Sequence, residues 1–185
     1  MRTCIGPKVI QPARDASGVI SWVVVNTHPH KERFATENLN QLQFVGYCPM
    51  LLKRIRHARR TDVVSRPMFP AHVFAGVHVH TQRWRTILST PGVYSIVRGG
   101  NALSVVPTRF VDVLQACEVN GNVVAPGTHR DDGQHAIGCS ADYSALISTM
   151  VEMRERERML ALFTLLRPGA DPSGIGTPLA RPPNR

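Results

Sequence analysis

Two histidine pairs, His28-Pro29-His30 and His78-Val79-His80, are the residues best placed by type and spacing to do chemistry. Residues two apart on a strand share a face, so either pair could offer two imidazoles to one metal ion. A third ligand at a fitting spacing is missing, and no HExxH motif occurs. Gly99-Gly100 is too short for a phosphate-cradling loop, and Ser, His and Asp occur without a GxSxG elbow. Cys4, Cys48, Cys117 and Cys139 form no CxxC pair, which reads as reduced thiols in a cytosolic protein and not as a disulfide framework or zinc site. The sequence therefore predicts no enzyme, no metal and no cofactor. What remains is the chemistry of contact.

Positive charge is unevenly placed. Residues 1–100 carry 14 Lys/Arg against 4 Asp/Glu, net +10, and residues 101–185 carry 8 against 9, net −1. A basic half beside a neutral one predicts a polyanion or acidic partner for the first. The densest run is Lys53 to Thr61, where Lys53, Arg54, Arg56, Arg59 and Arg60 put five cations in nine residues. It has little core potential, and Asp62 to Ser65 reads as the return of a hairpin. Its tip is a candidate phosphate contact.

The elements that must position these groups follow from apolar patterning. A chain of 185 residues holds one good core, or one core plus a small appendage. No apolar run approaches the ~20 residues of a membrane span, and residues 1–19 read as a weakly patterned, flexible leader without a secretory signal. Ile20 to Val25 is apolar and β-branched, a strand buried on both faces. Thr27 can cap a helix over Lys31 to Leu42, with Phe34, Asn38, Leu39 and Leu42 toward one side. Phe44 to Leu51 suits a second strand ending near Pro49. Pro67 and Pro70 bracket an apolar approach to a strand over His72 to Val77. Trp84 to Leu88 suits a short helix stopped by Pro91-Gly92, and Val93 to Val97 returns as a strand. Thr108 caps a helix running to Ala116.

A first domain thus spans 20–117 and a linker 118–138. Residues 139–167 form a further element, and 168–185 read as a disordered Pro/Gly-rich tail. Ala145 to Leu166 fits one amphipathic helix, or two strands joined by the charged turn Arg154-Glu155-Arg156-Glu157-Arg158.

An ordered set of short blocks resembles the N-terminal domain of NusG-type transcription elongation factors, and the specialised RfaH-like paralogues most of all. The blocks are Trp22-Val23-Val24-Val25 with Thr27-His28-Pro29; Lys31-Glu32 with Glu37-Asn38-Leu39; Pro49-Met50; Pro67-Met68-Phe69-Pro70; and Ser89-Thr90-Pro91-Gly92-Val93 with Val97-Arg98. The resemblance implies an α/β (α+β) fold with an antiparallel central sheet flanked by helices. It also implies an incomplete KOW-like or helical C-terminal element, because the turn of the family's small barrel usually holds a glycine where this chain has Arg154-Glu155-Arg156. A barrel lacking strands leaves unpaired edges, which favours helix here. In RfaH-like relatives a helical hairpin masks the polymerase-binding face.

The resemblance further implies a monomeric, cytoplasmic, non-enzymatic antitermination factor. It would bind bacterial RNA polymerase, increase processivity, and have no membrane partner. Polymerase contacts fall on Phe69, His72, Phe74, Arg83, Trp84, Arg85, Ser89 and Thr90. Among them His72 and Phe74 belong to the face that docks on the β′ clamp helices, and Arg83, Trp84 and Arg85 to the contact with the β gate loop. Non-template DNA falls on His28, His30, Lys31, Arg33 and Asn38. His72 departs from the family's aromatic there, as do Gly99 and Asn26 at positions where an aromatic can occur. The alternative is a free-standing basic nucleic-acid-binding module that never meets polymerase.

Overall fold

The computed structural model describes residues 20–57, 60–78, 83–100, 102–125 and 141–167. The expected leader and tail lie outside these residues. Strand β1 (Ser21–Thr27) is the centre of the fold, and Trp22 to Val25 are all buried. It is followed by α1 (Glu32–Gln41), β2 (Val45–Tyr47), β3 (Met50–His57), β4 (Arg60–Pro67) and β5 (His72–Val77). A 3₁₀ helix (Trp84–Ser89) leads to β6 (Val93–Ile96), β7 (Arg98–Gly99), β8 (Ala102–Leu103) and β9 (Val105–Val106). Then come α2 (Thr108–Ala116), β10 (Glu118–Val119), β11 (Asn122–Val123), α3 (Ala141–Glu152) and α4 (Glu155–Leu165).

The main sheet runs β2-β5-β1-β6, with every pair antiparallel. Val24 lies opposite Phe74 and Tyr47 opposite Phe74 on its other side. Strands β6 and β9 share the far edge of β1, β6 along Val25 to Thr27 and β9 along Trp22 and Val23. Alternation along β1 and β5 divides the core in two. Val23, Val25, Val73 and Ala75 face α1 and the 3₁₀ helix, through Ala35, Leu39 and Ile87. Trp22, Val24 and Phe74 face α2, α3 and α4, through Phe110, Leu114, Ile147 and Leu162. The sheet is therefore covered on both sides, as the unbroken apolar run in β1 predicts.

Several local expectations are corrected. Phe44 to Leu51 is not one strand: pairing to β5 ends at Tyr47, and from Met50 the chain joins the separate β3–β4 hairpin. Thr27 does not cap α1. It belongs to β1, its hydroxyl has no partner, and a turn through His28 to Lys31 intervenes. The buried residues of α1 are Glu32, Ala35 and Leu39, while Phe34 and Leu42 are exposed. Thr108 is the first residue of α2 and Pro107 its cap, which suits the fixed φ of proline. The start of the expected linker, Glu118 to Val123, is a small hairpin, and Val123 is buried in the core.

The C-terminal segment is two helices. The break falls at Met153–Arg154, in the charged turn. Glu157 Oε2 accepts the Arg154 backbone N–H at 3.0 Å, which satisfies a donor at the start of α4. Arg158 Nη1 donates to the Met150 carbonyl at 3.2 Å, tying α4 to the last turn of α3.

Gly92 shows how tightly α1 meets the sheet. Its φ is +88°, and an added Cβ would stand 3.0 Å from a Phe34 ring carbon and 3.3 Å from Ala35 Cα. Gly92→Val combines left-handed strain with overpacking and should cost about 2 kcal/mol or more, read as a lowered urea midpoint.

Candidate functional site

A connected set of aromatic rings lines the face of the sheet beneath α2–α4. Phe69 meets Phe74 edge-on at 5.7 Å, Tyr47 stacks on Phe74 at 6.1 Å, and Phe74 reaches Phe110 at 6.4 Å. Phe110 in turn meets Tyr143 of α3 at 6.1 Å. These separations fall in the attractive range for ring pairs. Phe69 and Phe74 are each 1% exposed, because α2 and the α3–α4 pair cover them. Neither ring is offered to a partner in this conformation.

His72 sits at the margin of that cover. Its ring lies edge-on to Phe163 of α4 at 5.6 Å. Its Nδ1 is 2.7 Å from the Pro70 carbonyl, and donates to it. Burial pushes the imidazole pKa below its ordinary value. The Pro70 hydrogen bond and the Glu32 charge pull the other way without cancelling the effect. Phe163 remains 39% exposed and Leu160 66% exposed, so α4 carries apolar groups on its outer side as well.

Glu32 is a buried carboxylate that sequence patterning did not single out. Its Oε1 accepts the Ala71 backbone N–H at 2.8 Å, and Ala71 has φ +59°. The start of α1 thereby holds the turn that carries Phe69 and leads into β5. Cys48 lies beside this region, and burial followed by the Glu32 charge pushes its thiol up to about 12, so it is unreactive.

The 3₁₀ helix presents the second predicted group. Arg83, Arg85 and Ser89 are exposed, while Trp84 is half-buried against the α1-side core. The Arg85 and Arg98 guanidinium groups lie 5.3 and 5.5 Å from the Trp84 ring. Thr90 is 2% exposed, and its hydroxyl donates to the Thr86 carbonyl at 3.3 Å. It stabilises the turn and shows no free surface.

At the start of α1, His28, His30, Lys31 and Arg33 are exposed. Asn38 is half-buried and structural: its amide donates to the Phe34 carbonyl at 2.9 Å and to the Pro91 carbonyl at 3.2 Å. Two rings that sequence reasoning passed over stand among these cations. Tyr94 is 72% exposed and edge-on to His28 at 5.7 Å, and Phe34 is 47% exposed with Lys31 Nζ 5.7 Å from its centroid. Tyr94 falls at a register shift, where Ser95 lies opposite Asn26 and Val93 opposite Thr27, so it has no partner on β1 and simple alternation gave no signal for it. Asn26 donates to Ser95 Oγ at 2.7 Å, so a polar pair stands where an aromatic can occur. Among the described residues no cluster of three metal-ligating groups is present.

The β3–β4 hairpin displays Lys53, Arg54 and Arg56, all exposed. Its register sets Arg54 opposite Val63 and Arg56 opposite Thr61, so Arg54, Arg56 and the exposed Leu52 and Val63 share one face. Arg59 lies outside the described residues, and of Arg60 only the backbone is described. The β10–β11 hairpin braces this region from below. Tyr47 donates to Glu118 at 2.8 Å, and Ser65 donates to Asn122 Oδ1 at 2.6 Å. Burial raises the Glu118 pKa, and the Tyr47 hydrogen bond partly offsets the rise.

Residues 20–115, just over half of the chain, match the family model described as transcription termination factor NusG. A comparison with curated proteins gave no match. Among the described residues no helix is long and apolar enough to cross a membrane.

The depressed His72 pKa has a consequence with a definite sign. The folded chain binds this proton less readily than the unfolded chain. Stability is therefore full above the unfolded value of about 6.5 and falls as pH drops below it toward the lower folded value. Urea unfolding followed between neutral and mildly acidic pH should show this loss, and His72→Tyr should reduce its slope. An unchanged slope in the variant would remove His72 from the account.

Proposed function

Since the chain belongs to the NusG family of transcription elongation and termination factors, we propose that it binds bacterial RNA polymerase as an RfaH-like antitermination factor that raises processivity and is held closed by α3 and α4. The observation that carries this reading is the pairing of α3–α4 with the ring-lined face. The family places polymerase contacts on the positions here occupied by Phe69, His72 and Phe74. In this chain those positions lie beneath or beside Ile147, Met150, Leu162 and Phe163. Docking onto the β′ clamp helices then requires the helical pair to leave.

Arg83, Trp84, Arg85 and Ser89 form the contact to the β gate loop, with Thr90 fixing the turn. His28, His30, Lys31 and Arg33, together with Tyr94 and Phe34, meet the unpaired non-template strand. Rings interleaved with cations suit bases and phosphates in turn. Lys53, Arg54 and Arg56 on the β3–β4 hairpin contact upstream DNA through phosphate. No bond is made or broken, so action is by binding alone.

The test is capture of core RNA polymerase by the full chain and by Leu162→Asp. A carboxylate at this buried position drives α4 off the sheet. The variant should retain several-fold more polymerase than the parent. Equal capture would end the masking part of the reading. Absence of capture by both, with DNA still retained at low salt, would favour a free-standing nucleic-acid module. In the same material, Arg54→Ser with Arg56→Ser should flatten the dependence of log K on log salt by about 2 for upstream-fork DNA.

A further inference from the structure

A cleft of about 980 Å³ separates the base of the β3–β4 hairpin from the turn joining α3 to α4, with the Pro29–His30 turn at one end. Its apolar lining includes Leu51, Pro67, Val123 and Met153. Cations line it from both sides: Lys53 and Arg66 from the hairpin, Arg154 and Arg156 from the helical turn. Three carboxylates share the cleft, Glu32, Glu155 and Glu157. Two of them are already engaged by backbone amides, Glu32 by Ala71 and Glu157 by Arg154. None of the four cations makes an ion pair among the described residues. Arg158, also at the cleft, is committed to the Met150 carbonyl.

The cleft thus holds more cations than carboxylates, and its cations belong to two parts of the chain that must separate if the ring-lined face is to open. A polyanion lying between the two sides gains attraction to cations on each. The apolar lining selects among polyanions. A duplex hides its base faces, whereas an unpaired strand can lay them against Leu52, Pro67 and Met153 while its phosphates meet the cations.

We propose that this cleft binds a single-stranded nucleic acid and that its occupancy holds α3 and α4 against the sheet. The cleft exists only while the helical pair is docked, so a strand that touches both sides binds the closed form better and shifts the population toward it. Linkage makes the effect reciprocal: whatever opens the helical pair weakens the strand by the same factor. The regulatory consequence rests on the reading that α3–α4 cover the polymerase face, whereas strand binding itself does not.

A fluorescently labelled oligothymidylate supplies the probe, with the full chain and with an Arg154→Ser, Arg156→Ser double variant. Both positions are exposed, so folding should be unaffected. Anisotropy should show several-fold weaker binding by the variant and a salt slope reduced by about 1.4. Hydrogen exchange should show slower exchange in α3 and α4 of the parent when the oligonucleotide is bound, and no such slowing in the variant. Equal affinity of parent and variant, faster exchange on binding, or equal affinity for a duplex of the same length would each overturn the proposal. Polymerase capture by Leu162→Asp is read separately. If capture fails while the oligonucleotide still slows exchange, the cleft stands and the polymerase reading falls.

Discussion

Phe74 sits where the packing of this molecule converges. Its ring touches Tyr47 from β2, Phe69 from the preceding turn and Phe110 from α2, and Phe110 passes the contact on to Tyr143 of α3. A sheet face carrying this much aromatic surface cannot stay in water without a large hydrophobic cost. Helix α2 covers only part of it. The remainder must be taken by α3 and α4 or by a partner of similar apolar character. The same constraint explains why β1 is apolar from Trp22 to Val25, and why the helices divide between the two sides of the sheet.

Cover by α3–α4 is incomplete in a way that matters for exchange. The centre, at Ile147, Met150 and Leu162, is fully buried. The edge, at Phe163 and His72, is partly open and includes a group that burial makes reluctant to accept a proton. An interface with a dry centre and a wet, titratable edge can be released from the edge. Polar ties between α3 and α4 themselves, such as Arg158 to Met150, act within the helical pair, so the pair can move as a unit.

Much of the sheet was legible because its signal is local. The alternation in β5 correctly set His72 and Phe74 on one face, and a hairpin was correctly read around the Lys53 to Thr61 run, although its return begins at Arg60 inside that run and not at Asp62. The failures share a cause. Glu32, Thr27 and Asn38 owe their placement to partners 39 to 53 residues away, or to the lack of one, and no nearby residue announces that. A buried Glu at the first position of a helix reads as a surface charge until the Ala71 amide is seen beside it. Phe34 was missed because apolar type on a helix was read as core, and Tyr94 because it falls at a shift in strand register that no pattern announces. In the C-terminal segment, spacings of three and four suit both helix and strand. The decision came from contact with Trp22, Phe74 and Phe110, far back in the chain.

The small β10–β11 hairpin, pinned by Tyr47 to Glu118 and by Ser65 to Asn122, fixes where the chain leaves the sheet on its way to α3. On the reading proposed above, the helical pair is a ligand tethered beside its own receptor. Its competition with any outside partner is set by an effective concentration and not by how much protein is in solution. Diluting the protein cannot open it. Only a partner that outbids that local concentration, or a change that loosens the anchor itself, can do so.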